Sequence, residues 1–565
     1  MSDGAGVGDS TEPGEGYQRT GGAAEPATGG GSPLSRRRFL QAAAAGGVAV
    51  GLASLGYWQV ESAVRPRATA PPTPKPSFPA GALTYRSRPD LFSPIISVAA
   101  PGYPAAPGRV LLTPAAGPGP IVVDDAGEAV WIHPAPAGKR TFNLRVGSYR
   151  GAPVLTWWEG NLIGGTGQGE YVLVDESYAE VARVRAGNGL AGDLHEFITT
   201  PEGTALFTVY AQRPNPEATP GASSTPGVSV ATASPLQPPG VSVSGSPGAS
   251  SAASSAASPS SPPGAILLES IVQEVDLATG RLLFEWRSAD HVSPKESYVG
   301  PSGGQPFDYF HVNSIDVDTD GNLLISARHT WAVYKIDRHT GQVIWRLGGK
   351  MSDFQMGPGT QFAWQHDARR QPDGSLTLFD DGSNGSKPPT EVFSRGLVLD
   401  LNESLHKATL RQAYAHPGGI LAMSQGSMQA LSNGNVLVGW GDQPWFTEFA
   451  ADGSLVLDGR LPDGSTSYRA VRYLWRGRPA DAPAIATAHG DPGSTTVFAS
   501  WNGSTEVASW VVLGGDSPDG LAEIGSGPRS GFETSIDVPG RPSVVVVKAL
   551  DSSGAVLAQS SPIGA

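Results

Sequence analysis

One stretch of strand-like sequence, from residue 307 to residue 382, concentrates side chains that could do acid–base or anion chemistry. It holds four of the ten histidines of the chain: His339 lies in a turn, and His311, His329 and His366 are the candidates. Arg328 precedes His329, and Asp367 follows His366. Imidazoles donate hydrogen bonds and exchange protons near neutral pH, and a guanidinium stays cationic. The pattern therefore indicates a site for an anionic ligand, with these residues as its catalytic candidates.

Two further histidines could join this set if the fold brings them to the same centre. His195 lies between Asp193 and Glu196 in GDLHEF, and His416 lies in YAHPGG. We expect both to bind substrate together with Asp367. For each histidine taken alone, a solvated turn or a satisfied core position explains the sequence equally well, so the hypothesis depends on their convergence.

Other chemistries have weaker support in the sequence. Three histidines with Asp367 or Glu196 could bind zinc, but neither HxH nor HExxH spacing occurs. The chain has no cysteine, which excludes disulfides, zinc–thiolate sites and cysteine nucleophiles. No G-x-S-x-G motif surrounds Ser427, and the glycines near 164–169 lack the lysine of a phosphate loop. We expect neither a metal nor a cofactor.

The elements that position these residues are predicted to be β-strands. The chain has 565 residues with Gly 74 and Pro 50, which is typical of a turn-rich β protein with more than one domain. A formal net charge of -13 argues against nucleic-acid binding, because that function needs a basic face. A net negative charge is still compatible with binding a small anionic ligand in a local pocket.

The N-terminal region is predicted to be an export segment rather than part of the fold. Residues 1–34 have the composition of a disordered tail. Residues 35–60, beginning S-R-R-R-F-L-Q before an Ala/Gly-rich apolar run, resemble a twin-arginine signal. The alternative is a membrane anchor through residues 39–58. Both interpretations place the rest of the chain outside the cytoplasm.

Two low-complexity segments interrupt the folded sequence. Residues 61–85 form a Pro-rich linker of the extended type. Residues 213–264 are rich in Ser, Pro and Ala and are predicted to be a disordered insertion. Strand-like sequence flanks this insertion on both sides, so we expect it to be a loop within one domain.

A repeated hairpin pattern predicts the architecture of residues 86–478. Apolar strands flank Asp-Gly or Asn-Gly turns in segments such as DTDGNLLISAR, QPDGSLTLFDD and LSNGNVLVGWG. With the insertion removed, a second set recurs every ~50–60 residues, the period of a propeller blade. The sequence predicts an all-β chain with a six-bladed β-propeller. The alternative is an irregular pair of β-sandwiches. Residues 483–565 predict a small Ig-like or fibronectin-III-like sandwich.

Several distinctive segments follow one another in the chain, among them DYFHVNSID, ISARHTWAVYKIDRHTGQVIWRLGG, FAWQHDAR, LTLFDDG, VFSRGLVLDL and SYRAVRYLWRGRP. In these segments the chain resembles the arylsulfotransferase family, whose members are exported six-bladed propellers. The resemblance implies sulfuryl transfer between phenolic compounds without a nucleotide, through a sulfohistidine. It assigns sulfate binding and proton transfer to His311 and His366, with Asn313, Arg328 and His329 supporting the pocket. A small aromatic or sulfated substrate would be the partner.

The chain departs from the family pattern at two points. No arginine follows FDDG, where the nearest cations are Lys387 and Arg395. No histidine occurs in VGWGDQPWFTEF, where the family carries its nucleophile. Unless His195 or His416 takes that role, the covalent carrier is missing. A non-catalytic exported propeller that binds an anionic or aromatic ligand is therefore the alternative to the enzyme, and a metal-dependent hydrolase is a third.

Overall fold

The computed structural model describes residues 78–79, 81–100, 102–218, 264–490 and 493–564. All of them belong to one compact unit, Lys75–Ala565. The predicted tail and export segment, most of the Pro-rich linker and most of the Ser/Pro-rich insertion lie outside the described residues. Within the described part of the chain, no helix is long and apolar enough to cross a membrane.

Antiparallel strands make up almost all regular structure in the described residues, as the all-β prediction required. The only helical segments among them are two short 3₁₀ turns, Ser288–Asp290 and Pro294–Glu296. The strands of the first half are β1 Leu83–Thr84, β2 Phe92–Ser93, β3 Ser97–Ala99, β4 Arg109–Leu112, β5 Ile121–Val123, β6 Ala129–Ile132, β7 Arg140–Tyr149, β8 Ala152–Ile163, β9 Thr166–Val174, β10 Glu180–Val184, β11 Gly192–Thr199, β12 Thr204–Pro214, β13 Ile266–Asp276, β14 Leu282–Arg287, β15 Val312–Val317, β16 Leu323–Ala327, β17 Ala332–Ile336 and β18 Val343–Gly348.

The strands of the second half complete the set. They are β19 Gln355–Met356, β20 His366–Arg370, β21 Leu376–Asp380, β22 Arg395–Asn402, β23 Lys407–Ala415, β24 Ser427–Ala430, β25 Val436–Gly439, β26 Trp445–Phe449, β27 Leu455–Arg460, β28 Val471–Tyr473, β29 Ala484–His489, β30 Ser494–Ser500, β31 Ser509–Gly515, β32 Ala522–Pro528, β33 Glu533–Pro539, β34 Val544–Leu550, β35 Val556–Gln559 and β36 Ile563–Gly564.

Groups of four consecutive antiparallel strands recur along the chain. Strands β15–β18 form one sheet, β20–β23 with β19 a second, and β24–β27 with β3 a third. Strands β7–β10 and β11–β14 form two further groups, which share a sheet through the single pair Gly192↔Gly169. Strand β28 joins β4–β6, so the last strand of this region pairs with one of the first. This pairing ties the two ends of the region together.

The first strands of these groups form a closed ring of contacts. Strand β7 contacts β11, β11 contacts β15, β15 contacts β20, β20 contacts β24, β24 contacts β28, and β28 contacts β7. Side chains from distant parts of the sequence therefore meet around one centre. The predicted Asp-Gly and Asn-Gly turns follow these strands, with Gly321, Gly374 and Gly434 in left-handed backbone that favours glycine.

The strands on both sides of the Ser/Pro-rich segment are direct neighbours. Strands β12 and β13 pair from Thr204↔Asp276 to Pro214↔Ile266. Both strands bury consecutive residues on both of their faces, and the buried apolar residues include Phe207 and Val272. The segment thus leaves and re-enters the same hairpin.

The C-terminal part has two antiparallel sheets around its own core. One sheet has the order β29-β30-β33, and the other has the order β32-β31-β34-β35 with β36 beside β34. Val497, Trp510 and Val547 are buried between them. The Trp510 indole donates a hydrogen bond to the Thr534 hydroxyl at 3.1 Å, which satisfies its buried N–H.

Candidate functional site

Irregular pairing in the first strands turns their side chains toward the centre of the ring. The register shifts between Phe142 and Arg145 in β7, and β11, β15 and β20 carry similar shifts. Such bulges add a residue, bend the strand and redirect side chains next to functional sites. Asn143, His311 and Asp367 adopt left-handed backbone with φ between 56° and 60°. Non-glycine residues adopt that region at a cost in free energy, and residues strained in this way cluster at functional sites.

These strands surround a pocket of about 280 Å³, which we call the histidine pocket. Its lining residues are Phe142, Leu162, Gly165, Leu194, His195, His311, Arg328, His366, Ser424, Gln425 and Tyr468. Four of the residues predicted from sequence, His195, His311, Arg328 and His366, therefore meet in one cavity. The ring centroids of His195 and His311 lie 4.8 Å apart, although 116 positions separate them in the chain.

His195 has the arrangement of an activated imidazole. Its Nδ1 lies 2.5 Å from Oδ1 of Asp193, and among the described residues nothing bonds its Nε2. Burial opposes ionisation of Asp193, but the nearby His195 and hydrogen bonds from backbone N–H groups bring the pKa of Asp193 below its ordinary value. An ionised Asp193 holds the proton on Nδ1 of His195 and leaves the Nε2 lone pair directed away from the carboxylate.

His311 repeats this arrangement with Asp308. Its Nδ1 lies 2.6 Å from Oδ2 of Asp308, and its Nε2 has no bonding partner in the described part of the chain. Burial lowers the pKa of His311 well below the ordinary value, an effect that the neighbouring His195 and Arg328 reinforce. His311 is therefore neutral at neutral pH. Burial also raises the pKa of Asp308, in contrast to that of Asp193.

His329 supports Arg328 and has no nitrogen left for a substrate. Its Nδ1 donates to the backbone oxygen of Asp308 at 2.6 Å, and its Nε2 accepts from Nη1 of Arg328 at 3.1 Å. Burial lowers the pKa of His329 to about 3, so the ring is neutral. Arg328 also donates to the Met423 carbonyl at 2.7 Å and lies over the Trp364 ring. These contacts fix the guanidinium at the pocket.

His366 is held from both sides. Its Nδ1 lies 2.7 Å from Oδ2 of Asp381, and its Nε2 accepts from the backbone N–H of Gln425 at 3.2 Å. Because a backbone N–H can only donate, the ring proton must be on Nδ1, which donates to Asp381. Burial lowers the pKa of His366 well below its ordinary value. This neutral imidazole forms a polar wall of the pocket.

A buried ionic cluster lies directly beneath the histidines. Glu196 and Asp367, each one residue after a pocket histidine, pair with Arg145, Arg369 and Arg469. Burial opposes ionisation of both carboxylates, but the arginines bring the pKa values of Glu196 and Asp367 below the ordinary range. The cluster joins four of the ring strands and fixes the backbone from which the histidines project.

Four residues predicted from sequence lie outside the pocket lining, and one of them is His329, which supports Arg328. Asp367 belongs to the ionic cluster. Asn313 donates to the Gln365 carbonyl at 2.6 Å and serves packing between β15 and β20. His416 pairs through Nε2 with Asp458 at 3.2 Å and packs against Trp440 and Trp445. The structure thus brings His195, and not His416, to His311 and His366.

The structure also contains site residues that the sequence reasoning did not identify. Tyr468 lines the pocket, and its buried hydroxyl has no hydrogen-bond partner among the described residues. Burial raises the pKa of Tyr468, so the hydroxyl stays protonated and can donate. Asp193, Asp308 and Asp381 orient the histidines. Their closeness in sequence to His195, His311 and the FDDG segment was the available signal.

Three side chains beside the pocket could offer donor atoms to a metal ion. Ligand atoms of Asp308, His311 and His329 lie within 4.8 Å of one another. However, both nitrogens of His329 are already bonded, and the Arg328 guanidinium beside it repels a cation. We therefore do not assign these residues as metal ligands.

A larger cavity of about 750 Å³ lies on the other side of the ionic cluster. Arg145 and Arg369 line it, and it shares no lining residue with the histidine pocket. Its lining contains no histidine, so the candidate imidazoles are in the smaller pocket.

Comparison with known proteins gives one family match. Residues 253–461 match the family model described as Arylsulfotransferase (ASST). No curated protein matches the chain. This segment carries His311, Arg328, His329 and His366, whereas His195 and Tyr468 lie outside it.

Solved structures resemble the chain only at low identity. A protein of unknown function from Bacteroides caccae is 12% identical, with 65% of this chain and 98% of that chain covered and a TM-score of 0.37. A catalytically inactive virginiamycin B lyase from Staphylococcus aureus, solved with quinupristin, is 10% identical, with coverages of 79% and 99% and a TM-score of 0.29. A streptogramin B lyase is 8% identical, with coverages of 71% and 97% and a TM-score of 0.27.

Proposed function

Since the chain belongs to the arylsulfotransferase family through residues 253–461, we propose that it transfers a sulfuryl group between phenolic compounds in the histidine pocket. The observation that carries this proposal is the convergence of two carboxylate-bound imidazoles, those of His195 and His311, beside the Arg328 guanidinium. The free Nε2 atoms supply nucleophilic nitrogen, and the guanidinium supplies positive charge for sulfate oxygens.

His195 is the proposed carrier of the sulfuryl group. Asp193, whose pKa is lowered, keeps the His195 proton on Nδ1, whereas burial raises the pKa of Asp308 behind His311. The Nε2 lone pair of His195 attacks sulfur, and the bond between sulfur and the phenolic oxygen breaks. The departing phenolate takes the electron pair. Its oxygen accepts a hydrogen bond from Tyr468 and then a proton from solvent.

The second half of the reaction reverses these steps. The oxygen of an acceptor phenol attacks sulfur, the N–S bond breaks, and the acceptor's proton passes to solvent. Arg328, supported by His329, and the ring of His311 compensate the charge on the sulfate oxygens in both halves. The acceptor phenol leaves as the new sulfate ester, and His195 returns to its neutral state.

Turnover of a chromogenic donor tests the proposal. The purified protein is incubated with 4-nitrophenyl sulfate and phenol, and both nitrophenol release and phenyl sulfate are measured. We expect His195→Gln to abolish transfer and His311→Gln to reduce it strongly. His416→Gln is the matched control, because His416 is a carboxylate-paired histidine outside the pocket, and it should retain activity. The proposal fails if wild type forms no phenyl sulfate.

A covalent intermediate can be measured directly. With labelled donor and no acceptor, the wild-type protein should hold acid-labile sulfate on a peptide that contains His195. Label on a peptide that contains His311 would instead support the same reaction with His311, not His195, as the sulfuryl carrier.

Ligand binding without turnover is the second candidate function. His329 and His366 have both ring nitrogens engaged in hydrogen bonds, which leaves few groups to protonate a leaving phenolate. This candidate predicts that aryl sulfates bind and protect the protein against unfolding while no nitrophenol is released. The turnover assay separates the two functions.

We also propose a six-bladed propeller with a C-terminal accessory module, from the strand contacts and the sheet order. The closed ring of β7, β11, β15, β20, β24 and β28 supports six propeller blades, each with one of these strands innermost. The pairing of β28 with β4 would close the ring. The two packed C-terminal sheets support an Ig-like or fibronectin-III-like accessory module.

Export through the twin-arginine-type segment remains a proposal from the sequence. Its support is the S-R-R-R-F-L-Q motif and the apolar run that follows. A fusion of residues 1–85 to a folded reporter should appear outside the cytoplasm, and Arg36→Lys with Arg37→Lys should retain it inside. Equal export of both fusions would contradict the twin-arginine route. Recovery of the fusion in membranes would indicate an anchor.

A further inference from the structure

The larger cavity of about 750 Å³ has no part in the proposed reaction, and we call it the arginine cavity because Arg145, Arg338 and Arg369 line it. Strands β7, β11, β15, β20 and β28 all contribute to its lining, so it lies within the same ring of strands as the histidine pocket. Its volume is within the range of small-molecule sites, roughly 300–1,000 Å³. Its apolar surface includes Phe197 and Ile198.

The Arg145 guanidinium is held through one of its three nitrogens. Its Nη1 donates to Oε1 of Glu196 at 2.7 Å and to the Phe197 carbonyl at 3.2 Å. Its Nε and Nη2 donate to no residue that the structure describes, and both atoms keep accessible surface. Arg145 lines the arginine cavity and not the histidine pocket, so these donors are open to the arginine cavity. Nε and Nη2 together form the edge that binds a carboxylate through two parallel hydrogen bonds.

The other two arginines of the lining already use the same edge within the protein. Nε and Nη2 of Arg338 both donate to Glu274, and Nε and Nη2 of Arg369 both donate to Asp367. Each of these edges therefore holds one carboxylate. The corresponding edge of Arg145 has the same geometry and lacks a carboxylate partner in the described part of the chain.

The charges around Arg145 leave its open edge available to an anion. Burial opposes ionisation of Arg145, but the neighbouring Glu196 brings its pKa above the ordinary value, so the guanidinium is cationic. Two carboxylates also line the cavity. Glu202 is exposed, and Asp316 accepts the Arg370 N–H at 2.8 Å through Oδ2. Neither of them bonds to Arg145, so neither occupies the edge.

We propose that the arginine cavity is a second binding site of this protein, for a small organic carboxylate whose two oxygens accept hydrogen bonds from Nε and Nη2 of Arg145. The bonds from Nη1 to Glu196 and Phe197 hold the guanidinium in place before the ligand arrives, which lowers the cost of binding. The carbon chain of the ligand contacts the apolar surface that includes Phe197 and Ile198. This site requires no sulfuryl transfer.

Isothermal titration of the full chain with hexanoate, hexanamide and formate tests this site. Wild type should bind hexanoate about tenfold more tightly than hexanamide, which lacks the charge, and more tightly than formate, which lacks the carbon chain. Arg145→Lys keeps a cation beside Glu196 but loses the two-donor edge, so it should weaken hexanoate about tenfold and leave hexanamide unchanged. Arg328→Lys, the matched control in the histidine pocket, should bind hexanoate as wild type does. Glu202→Lys adds an exposed cation to the lining and should tighten hexanoate about two- to fivefold.

Several results would overturn the second site. Equal affinity of wild type for hexanoate and hexanamide would remove the role of the carboxylate, and equal affinity for hexanoate and formate would remove the role of the apolar surface. Loss of hexanoate binding in Arg328→Lys but not in Arg145→Lys would place the anion in the histidine pocket instead. Urea unfolding shows whether Arg145→Lys is folded. If it is not, Glu202→Lys decides, and unchanged or weaker hexanoate binding in that variant would refute the site.

Discussion

Arg469 is a buried member of the ionic cluster, and Arg469→Met tests the role of that cluster. Its Nη1 donates to Oδ1 of Asn143 at 2.9 Å and to the His195 carbonyl at 3.0 Å. Its Nη2 donates to the Asn313 carbonyl at 2.9 Å and lies 3.3 Å from Glu196. The side chain is buried, so these bonds connect ring strands without water.

The expected cost follows from the groups that Arg469→Met leaves behind. Oδ1 of Asn143 and the Asn313 carbonyl each lose a charged donor, at about 1–3 kcal/mol for each buried unsatisfied group. Glu196 and Asp367 keep Arg369, so neither carboxylate loses every cation. The free energy of unfolding should therefore fall by about 2–6 kcal/mol, the sum for two buried unsatisfied groups.

Equilibrium urea unfolding, followed by tryptophan fluorescence, measures this change. Arg476→Met is the matched control, because Arg476 is about half exposed and pairs with Glu506 at 2.6 Å on the surface. Exposed pairs contribute less than about 1 kcal/mol, so this variant should unfold almost as wild type does. A loss below about 1 kcal/mol for Arg469→Met as well would refute the reasoning, since the cluster would then not hold the ring strands together.

Three further predictions concern the pocket. Asp193→Asn should lower kcat by about 10²–10⁴-fold in the 4-nitrophenyl sulfate assay, because the amide no longer holds the proton on Nδ1 of His195. Arg328→Lys should weaken methanesulfonate binding by about tenfold, measured by titration, because one ammonium replaces a guanidinium held in a fixed orientation. The free energy of unfolding should fall between pH 7.5 and pH 5.5 by about 1.4 kcal/mol less in His329→Asn than in wild type, measured by urea unfolding at both pH values.

The sign of the pH prediction follows from the lowered pKa of His329. The native ring, with a pKa of about 3, stays neutral while the unfolded ring takes up a proton below about 6.5. His329 therefore makes its full contribution to the free energy of unfolding above pH 6.5, and this contribution declines as the pH falls toward 3. An equal decrease in the free energy of unfolding of wild type and His329→Asn between the two pH values would contradict this prediction. Unchanged kcat in Asp193→Asn, or unchanged sulfonate affinity in Arg328→Lys, would contradict the other two predictions.

Much of the fold was predictable because the local signals agree with each other. Asp-Gly and Asn-Gly turns between alternating apolar runs specify antiparallel hairpins, and the structure has such turns at Gly321, Gly374 and Gly434. The strand bounds in detail were not predictable. Bulges in β7, β11, β15 and β20 depend on which neighbours the strands meet in the ring, and the sequence around them shows no distinct pattern.

The sequence by itself determined the all-β class and the family match, and it named histidines that meet in the pocket: His195, His311 and His366. Turn chemistry and side-chain type are local properties, so they can be read along the chain. Only the tertiary structure decided which nitrogens are free. His329 is occupied by Arg328 and Asp308, and His416 is occupied by Asp458, because bond partners depend on strands that meet across the ring. The same convergence made His195 the proposed carrier and brought Tyr468 and Leu162 into the pocket lining.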